Sequence, residues 1–271
     1  MIKAAVLGSP IAHSLSPMLH MAAYRTLGIE GEYTAIDVKN DQLESFLHSV
    51  DSTWTGFSLT MPLKEEVLQL AGEVDHLAES IQSANTLVRS AQGWRATTTD
   101  VKGFQEALHA HGVDEFTKVL IIGSGATARA AVSAVDQVNR EIQVIHRNHE
   151  REGAMRKSAP HSSIEFLPWH SLLPVADLTI NTTPAGVADH FASQITTSPS
   201  GLLFEALYNP WPTKMLNDWR RNGGEVIDGL DLLIYQGIDQ IEFMTGITVN
   251  RSDLVPILRE AGLTAINHLK S

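Results

Sequence analysis

The 271 residues contain no cysteine. Disulfides and thiolate metal ligands are therefore excluded, and a reducing compartment suits the chain. Positive charge is scarce: 20 Lys and Arg stand against 31 Asp and Glu, for a net charge of −11. That balance, with no basic run to offset it, speaks against nucleic acid and anionic membrane surfaces. No apolar stretch approaches the ~20 residues of a membrane span. Gly8 and Pro10 interrupt the first segment too early for the apolar core of a signal peptide. These absences predict a cytoplasmic protein acting on a small molecule, without membrane or nucleic-acid partners. The remaining composition, 43% hydrophobic, can build one large or two moderate cores.

The most informative stretch is Lys118-Val-Leu-Ile-Ile-Gly-Ser-Gly-Ala-Thr-Ala-Arg129. A buried-strand run enters a glycine turn and leaves as an alanine-rich helix. Gly123, Gly125 and Ala128 form G-x-G-x-x-A. The first glycine permits the tight turn, the second lets a pyrophosphate approach the backbone, and the small third residue packs helix on strand. The helix N-terminus offers unpaired N–H groups to phosphates. The next strand, over 141–145, ends where an NAD enzyme sets an acid against the ribose 2′-hydroxyl, ~20 residues on. Here His146, Arg147 and Asn148 follow, with Arg151 one turn beyond and no carboxylate before Glu150. A guanidinium can hold a 2′-phosphate through paired charge-assisted bonds that an acid would forbid. The expected cofactor is NADP; the alternative for these arginines is a solvated basic loop.

Along the chain, strands are expected over 4–7, 32–38, 54–60, 85–89 and 94–98, and helices over 19–27, 42–50, 64–71 and 74–82. Ser16 reads as an N-cap with Pro17 at the first helical position. Such alternation implies α/β layers on a largely parallel sheet. A helix over 100–111 carries the chain into the dinucleotide unit, followed by helix and loop over 148–161. Strands over 176–182, 202–207 and 225–227 follow, then helices over 211–222 and 232–245, and one or two over 253–269. The fold class expected is α/β with two domains. Residues 1–101 and 237–271 would form a substrate domain, and 102–236 a Rossmann-type domain.

Several short segments fall into one pattern. Gly8-Ser-Pro-Ile-Ala-His-Ser-Leu-Ser-Pro17 resembles a G-x-P-I-x-H-S-x-S-P loop, and Gly56-Phe-Ser-Leu-Thr-Met-Pro-Leu-Lys64 resembles G-x-N-V-T-x-P-x-K. Ser83-Ala-Asn-Thr-Leu87 is similar to G-A-x-N-T-L, and Thr97-Thr-Thr-Asp100 with Gly103 to x-N-T-D-x-x-G. Asn181-Thr-Thr-Pro-Ala-Gly186, Tyr208-Asn-Pro210 with Thr213, and Asp228-Gly229 through Gln236 resemble N-x-T-P-x-G, Y-x-P-x-x-T and D-G-x-x-M-L-x-x-Q. In this order and nearly end to end, they resemble the shikimate dehydrogenases, NADP-dependent enzymes that reduce 3-dehydroshikimate in aromatic amino-acid biosynthesis. Four departures from that pattern matter most. Ser58 and Thr98 stand for asparagines, Glu205 for an aspartate and Leu232 for a methionine.

The resemblance implies roles. Reduction of a ring ketone needs a proton for the developing alkoxide, and an ammonium can stabilise that charge and donate the proton. Lys64 falls on the family's catalytic lysine, with Asp100 as the implied partner that orients it. Without the resemblance, Lys64 reads as a surface lysine and Asp100 as an N-cap. Ser14, Ser16, Thr60, Asn85 and Gln236 supply short hydroxyls and amides for a polyhydroxylated acid, and Tyr208 is implied near its carboxylate. Ser16 as an N-cap and Thr60 as a buried strand hydroxyl remain open alternatives. Cofactor contacts are expected at Gly123, Ser124, Gly125, Ala126 and Thr127, at His146, Arg147, Asn148 and Arg151, and at Thr183, Ala206 and Gly229. No His/acid spacing suggests a metal. A monomer or homodimer is expected. An NAD-linked quinate/shikimate dehydrogenase and a non-catalytic nucleotide and small-acid sensor are the rival readings.

Overall fold

Ala4 to Leu7 are buried on both faces, as a strand inside a parallel sheet requires. They lie in β1 (Ile2–Gly8), which leads through α1 (Ser16–Leu27), β2 (Gly31–Asp37), α2 (Leu43–Ser49) and β3 (Gly56–Leu59) to α3 (Leu63–Glu66). A 3-10 turn, β4 (Glu73–Val74), α4 (His76–Ser80), β5 (Thr86–Ser90) and β6 (Gly93–Thr97) follow. The sheet order is β2-β1-β3-β5-β6-β4. Pairing is parallel at β1–β2, β1–β3 and β4–β6, and antiparallel at β3–β5 and β5–β6. The core on one side gathers Leu7, Phe57, Leu87 and Trp94, with Phe57 5.0 Å from Trp54 and 5.1 Å from Trp94 between ring centres.

The second sheet begins after α5 (Asp100–Ala110), with β7 (Lys118–Ile122), α6 (Ala126–Ala134), β8 (Glu141–His146), α7 (Glu152–Ser158) and β9 (Ser163–Pro168). Then come β10 (Leu178–Asn181), β11 (Leu202–Glu205), α8 (Lys214–Arg221) and β12 (Glu225–Ile227). The order is β12-β11-β10-β7-β8-β9, and every pair is parallel. Counted from β7, this is the doubly wound 3-2-1-4-5-6 arrangement, reversing direction between β7 and β10. Two helices, α9 (Gly229–Thr245) and α10 (Arg251–Leu269), close the chain.

This computed structural model describes residues 1–269. It divides into a first unit, Met1–Thr99 with Leu233–Ser271, and a second, Asp100–Leu232. The α/β class agrees with the expectation, and several local readings need correction. Ser16 does not cap α1: Leu15 already has helical angles there, and the Ser16 N–H donates instead to Ser14 Oγ at 3.3 Å. Val74 belongs to β4, and α4 starts later because Asp75 caps it, accepting from Ala78 N at 2.8 Å. The helix expected from 211 starts at Lys214, where Thr213 accepts from Leu216 N at 3.2 Å. Strand β9 was not anticipated. It is a sheet edge, and none of its residues is fully buried.

Candidate active site

In the first unit the loops that follow β1 and β3 lie side by side. Thr60 N donates to Leu7 O at 2.9 Å, and Ser9 N donates to Met61 O at 3.0 Å. Gly8 makes this approach possible, since a Cβ there would stand 2.8 Å from Met61 O. The Ser14 and Ser16 loop enters α1 from one strand end, and Thr60 precedes α3 at the other. Lys64 is half-buried in the single turn of α3, and its carbonyl accepts from Ala84 N at 2.9 Å. That bond ties the Lys64 turn to the segment carrying Asn85.

Asn85 sits at the centre of a buried polar network. Its Oδ1 accepts from Thr99 N at 2.8 Å and from Thr86 Oγ1 at 2.9 Å. Its Nδ2 donates to Thr99 Oγ1 at 2.9 Å and to Gln236 Oε1 at 3.1 Å. Gln240 Nε2 donates to Asn85 O and Thr86 Oγ1, both at 3.1 Å. Gln240 Oε1 accepts from Ser58 Oγ at 2.6 Å, and Ser58 Oγ accepts from Tyr33 Oη at 2.6 Å. Tyr33 stacks on His20 at 3.8 Å, and the His20 Nδ1–H donates to Ser16 O at 2.9 Å. Burial pushes the His20 pKa down to about 4, so the imidazole is neutral. The network therefore joins Ser16, Asn85 and Gln236 through residues that local sequence patterns did not single out. It also grips Thr99, the residue before Asp100, which is itself buried as the first residue of α5.

In the second unit, the ends of β7 and β10 meet at the strand-order reversal. Gly123 has a φ of +117°, which favours glycine, and a Cβ on it would lie 2.5 Å from Thr182 Oγ1. Its N–H donates to Ile145 O at 2.9 Å. Gly125 caps α6, with Ser124, Ala126 and Thr127 around it and Ala128 fully buried beneath the helix. The Arg151 guanidinium reaches back over this turn, 3.5 Å from where a Gly125 Cβ would stand. Arg147 stacks its guanidinium 5.1 Å above Trp169. Asn148 turns its side chain to its own loop, accepting from Glu150 N at 3.0 Å, while His146 is buried. Gly229 packs against the β11 exit: a Cβ there would stand 2.7 Å from Ala206 O. The glycines, the half-buried N-terminus of α6 and a guanidinium above it form a fitting cradle for a phosphorylated dinucleotide.

Glu205, fully buried at the end of β11, organises the neighbouring loops. It accepts from Asn181 Nδ2 at 2.9 and 3.1 Å, from Thr213 Oγ1 at 2.7 Å and from Leu207 N at 3.3 Å. Asn181 Oδ1 in turn accepts from Thr183 Oγ1 at 2.8 Å. Burial pushes the Glu205 pKa up to about 7, against the pull of these hydrogen bonds. Tyr208 follows, half-buried, in the loop held by Leu207.

Comparison with known proteins bears on both units. The family model described as the shikimate dehydrogenase substrate binding domain matches residues 6–87. A curated shikimate dehydrogenase (NADP(+)) from Methanothrix thermoacetophila is 36% identical over 252 residues, covering 90% of this chain and 91% of the relative. The chain belongs to the shikimate dehydrogenase family. Among solved members, the Mycobacterium tuberculosis shikimate dehydrogenase superposes with a TM-score of 0.86 at 35% identity, over 96% of this chain and all of the other. The Thermus thermophilus shikimate 5-dehydrogenase, solved with NADP(H) and shikimate, gives 0.82 at 30% identity, again over 96% and 100%.

Within the family pattern, three of the four departures acquire structural accounts. Ser58 is shorter than asparagine yet bridges Tyr33 to Gln240. Leu232 is a buried apolar residue in place of another. Glu205 carries the longer carboxyl into its ring of donors. Thr98 is the exception: its Oγ1 is buried without a hydrogen-bond partner.

Proposed function

We propose that this chain is an NADP-dependent shikimate dehydrogenase, interconverting 3-dehydroshikimate and shikimate, with Lys64 and Asp100 as its catalytic pair. Most support comes from its full-length similarity to a relative solved with both NADP(H) and shikimate. The first unit takes the substrate and the second the dinucleotide. When bound, NADP(H) supplies or accepts the hydride. Lys64 holds and delivers the proton at the C3 oxygen, where its charge favours the alkoxide. Asp100 orients the Lys64 amine and a ring hydroxyl. Ser14 and Ser16, on the β1 loop, bind the carboxylate together with Tyr208, while Thr60, Asn85 and Gln236 fix ring hydroxyls.

The dinucleotide lies on Gly123, Ser124, Gly125, Ala126 and Thr127, flanked by Thr183, Ala206 and Gly229. Its 2′-phosphate pairs with Arg147 and Arg151, beside His146 and Asn148. The placement of Arg151 over the glycine turn supports NADP over the NAD-linked rival. No helix among the described residues is long and apolar enough to cross a membrane. We assign the protein to the cytoplasm, acting as a monomer or homodimer. The test is a steady-state comparison of shikimate and quinate, each with NADP⁺ and NAD⁺. Shikimate with NADP⁺ is expected to give the highest kcat/KM. Absence of NADP⁺-dependent shikimate oxidation would overturn the reading, and a preference for quinate with NAD⁺ would favour the rival.

A further inference from the structure

Beside the arginines lies a cluster in which the dehydrogenase reading uses His146 alone, and only as a neighbour of the 2′-phosphate. His146, His149 and Glu152 recur every third residue where β8 passes through a 3-10 turn into α7. Their ligand atoms all lie within 4.8 Å of one another. His146 Nε2 is 3.3 Å from Glu152 Oε1, and His149 Nδ1 is 2.7 Å from the same oxygen. The other nitrogen of His146, Nδ1, is 3.1 Å from Asn148 O. A carbonyl can only accept, so Nδ1 carries the hydrogen. His146 Nε2 therefore faces the Glu152 carboxylate, a contact that either a proton on the ring or a metal cation between the two atoms can bridge.

The His146–Glu152 spacing suits a metal, since two ligands of a tetrahedral ion, with bonds of about 2.0–2.1 Å, stand about 3.3–3.4 Å apart; the His149–Glu152 pair, at 2.7 Å, must open to admit one. A backbone carbonyl on the far nitrogen is the partner that orients metal-bound imidazoles. The His146 side chain is buried while His149 is exposed, at 1% and 83%. One ligand is therefore fixed by the fold, and another can close from solvent. We infer that His146 Nε2, His149 Nδ1 and Glu152 Oε1 form a site for a borderline divalent cation of the Zn²⁺, Co²⁺ or Ni²⁺ class, with its fourth position open to water. Two imidazoles and one carboxylate match that class rather than Mg²⁺ or Ca²⁺.

The site is interleaved with the proposed 2′-phosphate grip, since Arg147 and Arg151 each adjoin a ligand in sequence. A bound dication fixes this turn and offsets the Glu152 charge, so occupancy tightens NADP⁺ several-fold. That consequence rests on the cofactor reading; the metal site does not.

The test uses full-length protein stripped by chelation, titrated with Co²⁺ and followed by its visible ligand-field bands, then displaced with Zn²⁺. One equivalent per chain is expected. His149→Ala and Glu152→Gln should each weaken it at least tenfold. His161→Ala, altering a histidine paired elsewhere with Asp136, should leave it intact. Circular dichroism of the variants controls for folding. No bound equivalent, or one indifferent to His149→Ala and Glu152→Gln, overturns the site; the second result would mean that the ion binds elsewhere on the chain. NADP⁺ affinity measured with and without Zn²⁺ tests the coupling, and an unchanged value overturns the coupling alone. Arg151→Ala tests the cofactor reading separately.

Discussion

Around the β1 and β3 strand ends, the buried polar groups are amides, hydroxyls and one imidazole; around β10 and β11 they converge on a single carboxyl. The first network runs His20–Tyr33–Ser58–Gln240–Asn85 and reaches Thr99, the residue before the buried Asp100. The second gathers Asn181, Thr213 and Leu207 N on Glu205. A neutral network can hold a ligand's hydroxyls in fixed positions at small electrostatic cost. A buried carboxyl gives stronger hydrogen bonds to loop donors but carries a desolvation cost that pH can reverse. The difference predicts that acid affects the two regions in opposite senses.

The largest effect should come from Lys64. Lys64→Ala is expected to lower kcat by roughly 10²–10⁴, the usual contribution of a positioned proton donor, with a smaller change in KM. The loss should be equal with NADP⁺ and NAD⁺, since it resides in the substrate unit. Near-wild-type turnover would remove Lys64 from the mechanism.

Stability comes next, and here Glu205 and His20, one from each network, oppose each other. Glu205 has its pKa raised from 4.5 to about 7. Between those values the folded protein keeps a proton that the unfolded chain has released, so stability falls as pH rises through this window. His20 has its pKa lowered from 6.5 to about 4. There the unfolded chain holds the extra proton, and stability falls as pH drops from 6.5 to 4. Each contribution is of order 3 kcal/mol at about 1.4 kcal/mol per pKa unit. In the shared range they largely cancel. Urea unfolding of Glu205→Gln should therefore expose a steeper rise in stability from pH 4.5 to 6.5 than the parent shows. His20→Gln should expose the opposite slope. Identical slopes in all three proteins would refute the contrast.

Cofactor choice should respond less strongly. Arg151→Ala is expected to reduce kcat/KM for NADP⁺ tenfold to about a hundredfold, the worth of a charge-assisted bond of roughly 1.5–3 kcal/mol. NAD⁺ kinetics should change little, and equal losses with both cofactors would place Arg151 elsewhere.

Sequence disclosed these two regions unequally. The β7 turn was legible because its residues answer local needs: Gly123 for its φ, Ala128 for its burial under the helix. The strand-order reversal that places Thr182 against Gly123 was not, since it depends on pairing across sixty positions. The first unit's network was less visible still. Ser58 and Gln240 meet across 182 residues, and neither carries a local pattern that marks the partner. Strand β9 escaped because an edge strand with one half-buried face has a weak apolar signal. Ser16 was misread because a serine before Pro17 is a good cap by type, although the helix had already begun at Leu15. The His146, His149 and Glu152 spacing was passed over because it straddles a strand end and a 3-10 turn rather than one helical face.

The smallest effect should come from Thr98. Its residue is 6% exposed and its Oγ1 has no hydrogen-bond partner. A buried hydroxyl without a partner costs about 1 kcal/mol or more, and valine has nearly its shape without that cost. Thr98→Val should therefore stabilise the protein by roughly 1 kcal/mol, raising the thermal midpoint by about 2–4 °C. Because Lys64 and Asp100 are untouched, kcat should stay within about twofold. A lower midpoint would mean that Oγ1 finds a partner in solution, and the neutral network would then extend one residue closer to Asp100. A higher midpoint with a raised KM for shikimate would instead show that the hydroxyl is kept unpaired for the substrate.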